Sequence, residues 1–99
     1  MDDIIDSSIS DTKNWVKGSY DTVKDSLVDH YYRHGAEVGA TDLENYLNKA
    51  QGFAKNLKNA KKSYNPNGFT EGAIRYEKNG KYIILDPDKN ILSFGAARK

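Results

Sequence analysis

The chain of 99 residues has no cysteine, two prolines and one methionine. Without thiols there is no disulfide framework, no thiolate nucleophile and no cysteine-based zinc site. No apolar run approaches the ~18 residues that a spanning helix needs, so no membrane span is expected. The opening Met1-Asp2-Asp3 has neither a basic flank nor an apolar stretch behind it, which predicts no classical signal peptide. Proline and glycine together reach only ten, while 37% of the chain is apolar and 11% aromatic. That balance fits a globular chain with a modest core rather than a disordered one. Any chemistry rests on His, Lys, Arg, Ser, Thr, Tyr and carboxylates.

Net charge is scarce too, at +1, but it is unevenly spread. Residues 1–29 hold seven Asp against three Lys, a balance of −4, whereas residues 30–99 hold seven acids against twelve Lys and Arg, a balance of +5. The division suggests an acidic amphipathic arm or linker over 1–29 and a basic α+β body over 30–99. A cationic face attracts polyanions by releasing their counterions, although lysines that merely solvate a surface give the same balance.

Ile5, Ile9, Val16, Tyr20, Val23 and Leu27 recur three, four or seven residues apart, which predicts an amphipathic helix, and Gly35 is placed to end the apolar cluster of Leu27, Val28, Tyr31 and Tyr32. Thr41-Asp42-Leu43-Glu44 has the spacing of a capping box. Behind it Leu43, Tyr46, Leu47, Ala50, Phe53, Ala54 and Leu57 predict a helix over about 41–62, with Lys55, Lys58 and Lys62 on a second, basic stripe. Asn79-Gly80 is a two-residue hairpin turn and Asp86-Pro87-Asp88-Lys89-Asn90 a second turn, so strands are expected at about 72–78, 81–85 and 91–94. The predicted fold is α+β, with N-terminal helices packed on a small antiparallel β-meander.

Both histidines lie in His30-Tyr31-Tyr32-Arg33-His34-Gly35, at i and i+4 on one helical face. Three readings are open. They could hold zinc, without the H-E-x-x-H pattern that would support it; they could favour the helix dipole as cations; or His34 could act as an acid or base. An imidazole with its ordinary pKa of ~6.5 exchanges protons near neutrality, and Arg33 beside it supplies fixed positive charge for a phosphate. Strand alternation places Arg75 opposite Ile74 and Tyr76, and Ser93 opposite Leu92 and Phe94, with Thr70 just before the first strand. Such residues would suit metal-free RNA cleavage, which needs a base, an acid, and cations or hydroxyls around the phosphate.

His34-Gly35-Ala36-Glu37-Val38-Gly39, followed by Leu43-Glu44-Asn45-Tyr46-Leu47-Asn48-Lys49-Ala50-Gln51-Gly52-Phe53, resembles the "KHG.EFG…EYL..A..F" signature of C-terminal toxin domains from bacterial polymorphic and contact-dependent growth inhibition systems. These domains look like relatives of the colicin D catalytic domain, in the barnase, EndoU, colicin and RelE-like group of ribonucleases. The resemblance covers about residues 28–95. It implies that fold and a metal-independent endoribonuclease without cofactor, acting on RNA, commonly tRNA. A cognate immunity protein would neutralise it, and a larger delivery protein would carry it from a secreting cell into the cytoplasm of a target bacterium. The motif histidine is then His34, Arg33 stands where the family commonly has Lys, and Ser93 falls on the phosphate-holding hydroxyl position. Thr70 and Arg75 join them from strand geometry and charge, and His30, Lys49, Lys55, Lys58 and Lys62 are candidate RNA contacts. The competing expectation is a non-catalytic RNA- or protein-binding module that uses the basic helix face.

Overall fold

A computed structural model describes residues 15–97 of the chain. The elements are α1 (Val23–His34), a 3-10 turn (Ala36–Val38), α2 (Leu43–Ala54), and strands β1 (Lys61–Tyr64), β2 (Ile74–Lys78), β3 (Lys81–Leu85) and β4 (Ile91–Ala96). The strands form one antiparallel sheet in the order β1-β2-β3-β4, and the architecture is α+β.

Helix α1 starts at Val23 because Thr22 caps it, its hydroxyl accepting from the Asp25 amide at 3.0 Å. The predicted helical stripe therefore does not reach back through Tyr20 and Val16, while Ile5 and Ile9 lie outside the described residues. Trp15 instead forms a parallel bridge to Ile91 on β4, and the Val16 amide donates to the Ile91 carbonyl at 3.0 Å. Apolar spacing alone could not tell this strand-like segment, buried at Trp15, from another helical turn. The charge boundary at residue 29 falls inside α1. Trp15 and Leu27, on its acidic side, belong to the same buried cluster as Tyr46, Ile83 and Phe94.

Arg33 and His34 occupy the last turn of α1, where cations complement the helix dipole. Gly35 ends the helix, but not through left-handed backbone: its φ is −58°. A Cβ there would lie 2.6 Å from the Tyr31 carbonyl oxygen, so what the position requires is space. Helix α2 is capped one residue later than the box predicts. Asp42 accepts from the Asn45 amide at 2.8 Å and Asn45 Oδ1 accepts from the Thr41 amide at 3.0 Å, leaving Glu44 out of the exchange.

The helix also ends at Ala54 rather than near 62. The Asn56 side-chain amide donates back to the Gly52 carbonyl, Asn59 takes a φ of 70°, and Lys61 and Lys62 pair with Glu77 and Tyr76 as an edge strand. Lys55, Lys58 and Lys62 consequently share no helical face, which removes the basic stripe. Asn79 and Gly80, with φ of 53° and 80°, make the predicted hairpin turn. The Asp86 carboxylate accepts from the Asp88 and Asn90 amides to close the second.

The helices cover the sheet face formed by Tyr76, Ile83, Leu85, Ile91 and Phe94. The Tyr46 hydroxyl crosses this core to donate to the Phe94 carbonyl at 2.5 Å. On β4 the register shifts, with Ile84 opposite Ser93 but Leu85 opposite Ile91, so Leu92 is bulged. The bulge sends Leu92 to the side of Ser93, against Ile84 and Ala73, and corrects the strict alternation expected there.

Candidate functional site

The side of the sheet away from α2, the end of α1 and the loop 66–70 enclose a cleft of about 710 Å³. His34 and Arg33 enter it from α1, Thr70 from the loop, Arg75 from β2 and Ser93 from β4; His30 and Lys17 also line it. All five residues expected to act in catalysis therefore border one space. Lys49 lies elsewhere, beside a smaller depression, and Lys55, Lys58 and Lys62 line neither.

His34 is held through one ring nitrogen. Its Nδ1 is 3.0 Å from Glu37 Oε1, and the same oxygen accepts from the Ala96 amide at 3.1 Å. This ties the end of α1, the 3-10 turn and the end of β4 at a single carboxylate. A carboxylate on Nδ1 fixes the tautomer and leaves Nε2 as the nitrogen for proton exchange. Gly95 makes room for the arrangement: a Cβ there would meet Tyr82 Cε2 at 3.0 Å, Glu37 Oε1 at 3.1 Å and His34 Cγ at 3.1 Å.

His30 is 6% exposed and stacks on His34 with ring centroids 6.0 Å apart. Its Nδ1 lies 2.8 Å from the Ser26 carbonyl, and Trp15 Nε1 donates to the Ser26 hydroxyl at 3.2 Å. Burial pushes the His30 pKa down, against the partly offsetting Ser26 hydrogen bond, so the ring is neutral at neutral pH. It brings packing and a fixed ring face to the cleft, which it lines beside His34.

The strand wall joins three polar side chains beside apolar Ile84 and Leu92, with Ser93 buried among them. The Tyr82 hydroxyl and Ser93 Oγ are 2.8 Å apart, the Arg75 guanidinium lies 4.7 Å from the Tyr82 ring centroid, and Arg75 also pairs with Glu77 at 2.8 Å. Stacking and pairing together hold the guanidinium against the wall. Arg33 is fixed on the opposite bank, donating to Asp29 at 3.1 Å and to the Tyr20 hydroxyl, which itself donates to Asp29. Those two donors, Tyr20 first, hold the Asp29 carboxyl below its ordinary pKa, and Asp29 in turn raises the pKa of both Tyr20 and Arg33.

Sequence reasoning assigned no role to Glu37 or Tyr82. Glu37 carries a signal, since it stands at i+3 from His34 just past the helix-ending Gly35. Tyr82 could have been found from its alternation with Ile84, which puts both on the side of Arg75 and Ser93. No family model matches the chain, and no curated protein or solved structure matches it either.

Proposed function

We propose that the chain is a toxin endoribonuclease of the colicin D-like kind, built on the barnase, EndoU, colicin and RelE-like fold, cutting RNA by metal-independent transesterification. The observation that carries the reading is the convergence of an imidazole backed by a carboxylate, two guanidinium groups and the hydroxyls of Thr70, Tyr82 and Ser93 on one cleft, from α1, the loop 66–70 and strands β2, β3 and β4.

His34 Nε2 takes the proton of the ribose 2′-OH while Glu37 stabilises the imidazolium that forms. The 2′-oxygen attacks phosphorus, the bond from phosphorus to the 5′-oxygen breaks, and a 2′,3′-cyclic phosphate results. Arg33 and Arg75 balance the charge that gathers on the phosphoryl oxygens, and Ser93 and Thr70 donate hydrogen bonds to them. The Tyr82 hydroxyl gives its proton to the departing 5′-oxygen, and the proton that His34 took from the 2′-OH returns to Tyr82, whose ring lies against the imidazole, so both groups end as they began. The expected target is tRNA. A cognate immunity protein would block the cleft, and a larger protein would deliver the domain into the cytoplasm of a competing bacterium.

The test is incubation of total RNA and tRNA with the purified chain in EDTA, alongside induction of the chain inside a bacterium. Cleavage and growth arrest that both disappear in His34→Ala support the reading. Intact RNA under every condition sinks it, and salt-dependent RNA binding that survives His34→Ala without cleavage favours the binding module.

A further inference from the structure

A second depression, of about 280 Å³, opens on the helix-covered side of the sheet at the β2–β3 hairpin. Lys49, Gly52, Phe53 and Asn56 of α2 and its C-terminal extension border it at i, i+3, i+4 and i+7, and Lys78 and Lys81 face them from the two strands. Among the described residues, three ammonium groups and no carboxylate line it. Lys78 is held in place, its Nζ donating to the Asn56 carbonyl at 2.8 Å. Half-buried Phe53 packs against Phe94 with centroids 5.5 Å apart, giving an aromatic wall between the cations.

Gly52 leaves the edge of the depression open. Glycine inside a helix costs roughly 0.5–1 kcal/mol relative to alanine. A Cβ at Gly52 would meet nothing within 4 Å, so packing does not demand its absence. What the missing side chain leaves is bare helix backbone at the edge of the depression.

The depression is also close to the cleft along the chain. Lys81 pairs with Ala96, whose amide donates to the Glu37 carboxylate that holds His34.

We infer that this depression is an accessory subsite for single-stranded RNA, in which a base packs on Phe53 and flanking phosphates pair with Lys49, Lys78 and Lys81, the strand continuing around the hairpin into the cleft. Aromatic walls flanked by cations are the usual platform for single strands. The inference rests on the ribonuclease reading for the continuity of the strand, but not for the binding itself.

The test uses the full chain with His34→Ala, to prevent cutting, and a fluorescein-labelled single-stranded RNA of about 15 nucleotides, long enough to span both sites at typical footprints. Replacing Lys49, Lys78 and Lys81 together by Gln should weaken binding at least about tenfold at low salt and flatten the log–log salt dependence by about 2, at ~0.7 per lost phosphate contact. Gly52→Gln, which fills the depression without changing charge, should weaken binding several-fold and leave the salt dependence as it was. Affinity unchanged in both variants overturns the subsite. If the unmodified chain cuts RNA while both variants bind normally, the subsite falls alone. If it cuts nothing while binding still depends on the three lysines, the ribonuclease reading falls and the subsite stands.

Discussion

Glu37→Gln removes one charge and almost no volume. Oε1 of Glu37 accepts from both His34 and the Ala96 amide, and glutamine keeps an oxygen that can accept those bonds. The fold should hardly notice: the side chains of His34 and Glu37 are 19% and 24% exposed, and the loss of stability should stay below about 1 kcal/mol. The transition state should notice more. Against glutamine the imidazolium keeps a charge-assisted hydrogen bond but loses the carboxylate's Coulombic attraction. Between the ~1 kcal/mol of bulk water and the ~4 kcal/mol of a site near the protein surface, that loss comes to roughly 1–1.5 kcal/mol for so exposed a pair. At about 1.4 kcal/mol per factor of ten, kcat should fall roughly tenfold with KM little changed. Glu37→Ala also frees the ring and should lose considerably more, within the ~10²–10⁴-fold that a positioned acid or base contributes. Single-turnover cleavage of a short fluorogenic RNA, read beside a thermal melt, separates the two effects. A glutamine variant that cuts at the original rate would refute the dyad, as would one whose activity loss merely follows its unfolded fraction.

Other expectations concern stability. His30 is held below its ordinary pKa by burial, so the unfolded chain binds the extra proton first; unfolding free energy should drop as pH falls below about 6.5, by at most ~1.4 kcal/mol per pH unit, and His30→Phe should flatten that slope in urea titrations. Trp15→Ala should cost about 3–5 kcal/mol by chemical denaturation, because the indole is 2% exposed and also satisfies Ser26; a loss under 1 kcal/mol would show that the segment before α1 is dispensable. Tyr46→Phe deletes a buried hydroxyl and should cost about 1–3 kcal/mol through the unsatisfied Phe94 carbonyl, measured in the same way.

What the sequence made legible was local. Asn79-Gly80 and Asp86-Pro87-Asp88-Lys89-Asn90 carry their own turn chemistry, so the hairpins follow from a few side chains and permitted φ values. The apolar spacing from Leu43 to Ala54 likewise shows α2. Strand β1 was not legible: Lys61-Lys62-Ser63-Tyr64 is exposed throughout, and only pairing with β2 makes it a strand. The same holds for Trp15, whose place depends on β4, some 75 residues along the chain. At the cleft, His34, Arg33, Arg75, Thr70 and Ser93 stood out by residue type and strand position. Glu37 and Tyr82 act through what they touch, and touching across the fold leaves no mark on spacing. Asp42 displaced Thr41 as the cap because either side chain suits the position, and one residue of helix phase decided between them.

Gly95 has a consequence for how such a cleft can vary. Between the imidazole, the phenol ring and the carboxylate there is only the thickness of a main chain, and one methyl group would act as a shim driven into all three at once. Their mutual spacing is thus gauged by the backbone of β4 itself, and a side chain at that point would have to push all three aside together. The turn Pro66-Asn67-Gly68, which borders the cleft away from Gly95, is under no such constraint and can change shape or charge without disturbing the gauge.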